Sequence, residues 1–234
     1  MKRNALISLA GSLVVANFAF AQENSKIGLD VLAGAGYSHY NGFKSGDKSD
    51  DIKFNGFNVN ATALYSIMKT EMGSPVVGLG LNYNQMKSST TSDDVLDFSG
   101  NDLNVSNYFN AKTLAIMTNL GYKFTPTSKL AIFALANLGY GFYNKLDANV
   151  TIKDVNGKNV TDNYPKTEFE LKDHFIYGVS VVGTYEIVDN FSLGLGATYN
   201  RHQAKIETKR NGATASNNGS FNEFSTNLIA SYSF

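Results

Sequence analysis

The sequence contains no cysteine and no tryptophan, and its 20 acidic residues balance its 20 basic residues. Without cysteine the chain cannot form a disulfide framework, a thiolate zinc site, an iron–sulfur cluster or a cysteine nucleophile. Zero net charge argues against a nucleic-acid-binding protein, which usually carries a basic excess. A length of 234 residues suggests a single domain, and the mean hydropathy of −0.19 resembles that of a soluble protein.

A long apolar run is also missing from residues 22–234. A membrane-spanning helix needs ~20 consecutive apolar residues. The best candidate, 130–143, is short and is interrupted by Asn137. The sequence therefore predicts that no helix of this part of the chain crosses a membrane.

The N-terminus carries the pattern of an export signal. Lys2 and Arg3 precede an apolar stretch at 5–16, and Ala19-Phe20-Ala21 supplies the small-x-small motif that signal peptidase reads. We expect residues 1–21 to be a cleaved signal peptide, with an uncleaved membrane anchor as the alternative. Residues 22–25 would then form a short periplasmic tail.

The rest of the chain alternates between apolar residues and small or polar residues. An alternation with period two is typical of β-strands, because successive side chains point to opposite faces. In the segment 191–202, for example, Phe191, Leu193 and Leu195 alternate with Ser192, Gly194 and Gly196. The pattern predicts eight strands, at 27–39, 54–68, 76–86, 108–124, 130–143, 174–185, 191–202 and 221–234.

The connections between these strands are alternately long and short. Long polar connections lie near 40–53, 87–107, 144–173 and 203–220, and the others are short turns. Short turns at one rim, long loops at the other and an even strand number are typical of an outer-membrane barrel. We therefore predict an all-β fold, an eight-stranded antiparallel up-and-down transmembrane β-barrel formed by residues 26–234. In the third loop, Asn156-Gly157 predicts a β-hairpin.

Charge and glycine indicate which face of the strands is inside. The predicted strands contain only five of the 38 charged residues of the mature chain: Asp30, Lys112, Lys123, Arg201 and Glu223. A water-facing exterior would carry many charges. Every strand glycine except Gly183 lies on the polar face, and small residues suit the narrow lumen of an eight-stranded barrel. The sequence therefore predicts an apolar, lipid-facing exterior.

Aromatic residues on the predicted exterior concentrate toward the two ends of the strands. Such bands match the aromatic girdles that membrane barrels place at the two interfaces. The predicted interface aromatics are Tyr37, Tyr65, Tyr83, Tyr122, Tyr140, Tyr177, Tyr185, Tyr199, Tyr232 and Phe234.

The last strand carries a family resemblance. Phe234 is preceded at every second position by Tyr232, Ala230 and Leu228, which resembles the C-terminal signal of outer-membrane barrels. The architecture of 26–234 resembles the small eight-stranded barrels, namely the OmpA transmembrane domain, OmpX and the opacity proteins. That resemblance implies a protein of the Gram-negative outer membrane whose last strand is recognised by the barrel-assembly machinery. The glycine that is usual within this signal is absent.

Two pairs of lumen residues are candidates for specific contacts. Asp30 and Lys123 both point inward near the periplasmic end, where an isolated charge would be costly, so we expect a structural pair. His174 and His202 face each other if the turn between their strands is centred on Val188. Two facing imidazoles could bind a metal or respond to pH, whereas the simpler interpretation is two solvated mouth residues. No cofactor is expected.

These features predict a structural or surface-interaction role, adhesin-like and mediated by the loops, for a monomer without catalysis. The first alternative is a narrow channel for small or apolar solutes. The second is an enzyme that modifies lipid A, although Ser38 and His39 lie on opposite faces of their strand and cannot easily act together. The expected partners are outer-membrane lipid and lipopolysaccharide, the assembly machinery and a host or cell-surface ligand, but not nucleic acid.

Overall fold

The computed structural model contains ten β-strands within the residues it describes, which are 28–45, 48–50, 53–68, 70–88, 91–96, 102–154, 156–161, 167–210 and 213–234. The predicted signal peptide and tail lie outside these residues. No helix in the described ranges is long and apolar enough to cross a membrane. The strands are β1 (Leu29–Ser45), β2 (Lys48–Asp50), β3 (Phe54–Ser66), β4 (Gly73–Ser88), β5 (Thr91–Leu96), β6 (Asp102–Phe124), β7 (Leu130–Asp154), β8 (Thr167–Val188), β9 (Phe191–Arg210) and β10 (Ala213–Ser233).

Eight of the strands form a closed antiparallel ring. Each long strand pairs with its neighbours in chain order, and β1 also pairs with β10 over fourteen residue pairs, which closes the sheet. The short strands β2 and β5 pair only with β1 and β6, beyond the ring. The predicted eight-stranded barrel is therefore confirmed. Over the described residues of its lower part, the ring leaves no free sheet edge, which is the condition for a β-structure to exist in lipid.

The inside and outside of the barrel are also as predicted. Exposed aliphatic and aromatic side chains cover the outer face, including Leu138, Val181 and Leu228, whereas Leu64 and Phe133 are buried in the lumen. Gly36 shows why small residues line the interior, because an added Cβ would lie 1.8 Å from the Thr226 carbonyl oxygen. This apolar outer surface, together with ring closure, makes the protein an outer-membrane β-barrel.

The strands continue well beyond the predicted ends. β7 extends from the predicted end at residue 143 to Asp154, and β9 and β10 enclose most of the predicted loop 203–220. The predicted strands end where the apolar alternation gives way to polar stretches, but backbone pairing continues because it does not require apolar side chains. At the tip of β7, Gly157 has φ 77° and its N–H donates to the Asp154 carbonyl, as the predicted Asn156-Gly157 hairpin requires.

The predicted pairing of β8 with β9 is wrong by two residues. The structure pairs Ile176 with His202 and Tyr185 with Leu193, because the chain reverses at Asp189 and Asn190 rather than at Val188. Asn190 adopts φ 65°, a left-handed conformation that asparagine tolerates in tight turns. Alternation determines only which face each residue occupies, and a shift of two residues preserves the face.

Two β-bulges lie side by side in β7 and β8. Phe142 is the extra residue in β7, because Gly141 pairs with Ala115 whereas Tyr143 pairs with Leu114. In β8 the pairing shifts between Lys172 and Phe175, and Asp173 within this bulge has φ 48°. Each bulge reverses the inside–outside alternation of its strand.

Candidate functional site

At the end of the barrel that carries the short turns, the two predicted lumen charges form an ion pair. The Lys123 ammonium lies 2.7 and 2.8 Å from the two carboxylate oxygens of Asp30, and the Ser233 hydroxyl donates to Asp30 over 2.6 Å. Short turns mark the periplasmic end of such barrels. The pair lines a pocket of about 190 Å³ that also includes Thr70 and Phe234. The ion pair and the hydrogen bond from Ser233 together connect β1, β6 and β10.

Above this pair the lumen is filled by apolar side chains, which we call the lower apolar layer. Its buried members are Leu32, Leu64, Val76, Phe133, Leu135, Val182 and Ile229. Leu64 and Phe133 are almost inaccessible to solvent. The layer separates the periplasmic pocket from a second cavity of about 70 Å³ in the middle of the barrel, the central cavity.

The wall of the central cavity is rich in asparagine. Asn119 donates to Asn137 over 2.9 Å, and Asn137 donates to Ser180 and to Asn200 over 2.6 and 3.3 Å. The hydrogen bonds among Asn119, Asn137 and Asn200 reduce the cost of burying these three amides. They are supplied by alternate positions of neighbouring strands, which face the same side of the sheet.

A buried network centred on Glu223 lies above the cavity, and we call it the Glu223 network. The Glu223 carboxylate, only 1% exposed, accepts hydrogen bonds from Ser38, Tyr40 and Asn200 over 2.9, 3.0 and 3.2 Å. His202 Nε2 lies 2.9 Å from the same carboxylate. These contacts connect β10 with β1 across the seam where the barrel closes, and with β9.

His174 extends this network to β7. Its Nε2 lies 2.9 Å from His202 Nδ1, and its Nδ1 lies 2.8 Å from the side-chain oxygen of Asn144. The two histidines are therefore in contact although their predicted cross-strand pairing is wrong. His174 lies in the bulge at Asp173, so it has a Cα partner on β7 but none on β9, and its ring contacts His202 instead.

The partners determine where the protons of the two imidazoles lie. Asn144 uses its NH₂ group to donate to the Gly141 carbonyl, so its oxygen accepts from His174 Nδ1. His174 Nε2 is then an acceptor if that ring is neutral, and His202 Nδ1 must donate to it. The hydrogen bond of 2.9 Å between His202 Nε2 and the Glu223 carboxylate requires one further proton between the two groups.

No metal site emerges from these side chains. Within the described residues, no group of three or more His, Asp or Glu side chains could hold a metal ion. Both nitrogens of His174 and of His202 have hydrogen-bond partners, so a metal ion would have to displace one of them. A functional role of the pair remains a prediction.

A second apolar cluster, the upper apolar layer, covers the Glu223 network on the extracellular side. The Phe221 ring stacks on His202 with a centroid distance of 4.6 Å and an interplanar angle of 12°. The members of the layer are Tyr40, Phe54, Met86, Ala111, Leu146, Leu171, Ala204, Ile206 and Phe221. In the described part of the barrel, buried apolar side chains thus pack the lumen both below and above its polar middle.

The outer surface of the extracellular part is charged. Lys172 donates to Glu207 over 2.7 Å and Lys209 donates to Glu170 over 3.1 Å, between neighbouring strands β8 and β9. The hydrogen bond to Glu207 raises the pKa of Lys172, and the same bond lowers the pKa of Glu207. Such exposed pairs keep this surface hydrophilic but contribute little to stability.

The predicted interface aromatics lie on the barrel wall with different degrees of exposure. Tyr83, Tyr122 and Phe234 are half-buried, and Tyr122 packs against Phe124 with a centroid distance of 4.5 Å. In the predicted assembly signal, Leu228 is exposed and the Tyr232 ring packs against Phe234. The exposed members of the predicted set are Tyr37, Tyr65, Tyr140, Tyr177, Tyr185, Tyr199 and Tyr232.

The sequence reasoning missed Glu223 and Tyr40 as site residues. Glu223 was visible as the one inward-facing acid in the extracellular half of the predicted strands, and such a charge needs partners. Its partners on β1 could not be found without knowing the register of the closing seam. Tyr40 lay just beyond the predicted end of β1, within the range assigned to a loop.

Comparison with known proteins gives structural likeness only. No family model matches the chain, and no curated protein matches it. Among solved structures, neisserial surface protein A is 16% identical, with 88% of this chain and 97% of that chain covered and a TM-score of 0.37. Outer membrane protein OprG from Pseudomonas aeruginosa is 11% identical, with 90% and 98% covered and a TM-score of 0.47. Outer membrane protein W of E. coli is 14% identical, with 90% and 100% covered and a TM-score of 0.38.

Proposed function

We propose that this outer-membrane barrel acts as a monomer in surface interaction, through the part that projects beyond the membrane, and that no catalytic step is involved. The observation that carries the proposal is the packing of the lumen by two apolar layers, combined with long extracellular strands. Solute passage would require movement of both apolar layers, whereas the extracellular surface is accessible without any rearrangement. The partners we propose are lipopolysaccharide around the barrel and a ligand on another cell surface.

The hairpin of β7 and β8 offers the most direct test. Leu146 and Phe169 are paired, so residues 147–168 can be replaced by an Asn-Gly turn that leaves the barrel below intact. We expect cells that carry this variant to lose adhesion to host cell layers while the barrel keeps its heat-modifiable gel mobility. A variant with residues 147–168 scrambled is the matched control, because it preserves length and charge.

The results separate the possible roles. Loss of adhesion in both variants supports specific recognition by the hairpin, and loss in the excision alone supports a contact that depends on composition. Unchanged adhesion in the excised variant, together with stable single-channel steps of the wild type in planar bilayers, would overturn the proposal.

A narrow conduit is the second candidate, because two cavities lie in line along the lumen. The periplasmic pocket and the central cavity are separated by Phe133 and Leu64 of the lower apolar layer. If this layer is the barrier, the double variant Phe133→Ala, Leu64→Ala should conduct more than wild type. Leu195→Ala on the lipid-facing surface is the control. If the double variant shows no conductance in planar bilayers, the proposed conduit has no support.

Lipid modification receives no support from the residues considered for it. Ser38 is buried and donates to Glu223, whereas His39 lies on the other face and contacts Asn41 and Asn55, both over 2.6 Å. A nucleophile and its base must lie within hydrogen-bonding distance. Purified protein should therefore leave lipopolysaccharide unchanged, as mass spectrometry of lipid A would show.

The exposed side chains of β10 support recognition by the assembly machinery. Leu228 and Tyr232 project from the outer face, where they are accessible as soon as the strand forms. We expect Phe234→Ala to slow insertion in cells more than spontaneous refolding in detergent. Equal effects in both assays would indicate a role in stability alone.

A further inference from the structure

The central cavity has unsatisfied oxygen atoms in its wall. The side-chain oxygens of Asn82, Asn119 and Asn227 are buried and have no hydrogen-bond partner. All three residues line the cavity, and Asn119 and Asn227 are only 6% and 5% exposed. Every unpartnered buried side-chain atom that the described residues bring to this cavity is an oxygen. A buried acceptor without a donor is costly, so this wall calls for an occupant that it can coordinate.

The Glu223 carboxylate fixes the orientation of the amide groups. Because a carboxylate can only accept, Asn200 presents its NH₂ group to Glu223 and its oxygen to Asn137. Asn137 in turn presents its oxygen to the NH₂ group of Asn119. The chain ends at the Asn119 oxygen, which therefore points away from its donor-bearing neighbours.

A second chain runs from Glu223 around the other side of the lumen. Ser38 donates to Glu223, and its oxygen accepts from the Asn58 NH₂ group over 2.7 Å. Asn60 then donates to the Asn58 oxygen over 3.4 Å, the longest link. Asn60 lines the central cavity. Both chains thus end at side chains of this one cavity, and the first chain ends at the unpartnered oxygen of Asn119.

From this geometry we infer that the central cavity is a binding site for a partly hydrated monovalent cation, Na⁺ or K⁺, coordinated by asparagine side-chain oxygens. Carbonyl oxygens are ligands for hard cations, whereas sites for divalent ions usually add carboxylates, and none lines this cavity. A volume of about 70 Å³ holds an ion with a few waters, since one water needs roughly 10–15 Å³. Waters that donate to the wall would turn their own oxygens toward the ion.

The test is ion-dependent stability of the refolded full-length barrel. Thermal unfolding is measured in vesicles at constant ionic strength, with NaCl or KCl exchanged for N-methylglucamine chloride, whose cation is too large for the cavity. We expect a saturable rise of the midpoint with Na⁺ or K⁺, because a ligand that binds only the folded state stabilises it. ²³Na relaxation should broaden for wild-type protein and recover on competition with K⁺.

Two variants should remove the ion dependence, and one should retain it. Asn119→Leu and Asn227→Leu each remove a ligand oxygen, so their midpoints should be equal in all three salts. Asn84→Leu is the matched control, because Asn84 is fully buried with both amide atoms unpartnered but does not line the cavity. If the Leu variants do not fold, Asn82→Asp provides the converse test, since an added carboxylate should lower the half-saturating concentration by roughly tenfold.

Equal midpoints for wild type in Na⁺, K⁺ and N-methylglucamine, without ²³Na broadening, would show that the cavity holds water alone and would overturn the inference. An ion dependence shared equally by Asn119→Leu, Asn227→Leu and Asn84→Leu would assign the effect to the protein surface and would also overturn it. The inference does not depend on the adhesion or conductance assays.

Discussion

The membrane-spanning and extracellular parts of the barrel are built from the same strands but have opposite polarity. In the lower half of β9, Leu195 points outward and is 68% exposed, whereas Asn200 and His202 point inward. Further along the same strand Ile206 points inward and is 7% exposed, whereas Lys205 and Glu207 point outward. The alternation of the backbone does not change along β9. Only the solvent outside changes, from lipid to water, and the apolar side chains change face with it.

In β7 and β8, the bulges turn apolar side chains into the lumen above the membrane, where regular alternation would point them toward water. In β8, inward positions are even up to His174, yet the apolar residue above it is Leu171. Without the bulge at Asp173, Leu171 would face water. Likewise the extra residue Phe142 in β7 turns Leu146 into the lumen. The bulges thus mark the level at which the surroundings of the barrel change.

The largest effect is expected at the junction of the two parts, where Glu223→Leu removes the centre of the Glu223 network. Removal of one partner from a buried ionic group typically costs about 3–5 kcal/mol, because the other partner is left uncompensated. We expect the free energy of unfolding, from urea titration in vesicles, to fall by that amount. Glu223→Gln should lose less, and a loss below 1 kcal/mol for Glu223→Leu would show that water replaces the carboxylate.

A charge introduced on the outer surface tests whether the membrane-spanning and extracellular parts differ in their surroundings. Leu195→Arg places a cation in lipid, which should cost about 2–4 kcal/mol or prevent insertion, whereas Gln203→Arg on the same face of β9 should cost nothing measurable. The free energy of unfolding of the refolded barrel gives both values. Equal costs at the two positions would contradict the assigned membrane boundary.

The interior of the extracellular part should behave as the core of a soluble barrel. Ile206→Ala leaves a gap in the upper apolar layer and should lower the free energy of unfolding by about 2 kcal/mol. It should also speed hydrogen exchange of the amides around Phe221, which stacks on His202. Lys205→Ala, one residue away on the outer face, is the control, and a loss equal to that of Ile206→Ala would argue against a packed upper layer.

The smallest effect is expected at the exposed ion pair between Lys172 and Glu207. Because the pKa of Glu207 is lowered in the folded protein, its stabilisation is lost as the pH falls through the carboxyl range, about pH 4. Because the pKa of Lys172 is raised, its contribution is lost only as the pH rises past about 10. Because an exposed pair contributes little even where both groups are charged, Lys172→Met should leave the unfolding midpoint almost unchanged at pH 7 in 150 mM salt, and a clear drop would mean that the pair is shielded from solvent.

The sequence predicts those properties of this fold that depend on the face of a strand. The lipid-facing leucines, the inward glycines and the Asp30–Lys123 pair all follow from alternation and from the cost of an isolated charge. Properties that depend on register do not follow, because a shift of two residues leaves every face unchanged. For this reason the contact between His174 and His202 was predicted from a pairing that is wrong by two residues. The hydrogen bond from Tyr40 to Glu223 could not be predicted at all.

The seam between β1 and β10 has a consequence for the order of events in folding. Ser38 and Tyr40 are separated from Glu223 by 185 and 183 residues, so these contacts form only when the two end strands meet. Contacts so distant in sequence form slowly, because a long loop must close first. Until then the Glu223 carboxylate has only its contacts with Asn200 and His202 of β9, and the sheet has two free edges, which lipid does not tolerate. Closure therefore completes the hydrogen bonds of Glu223 in the same step that pairs the free edges.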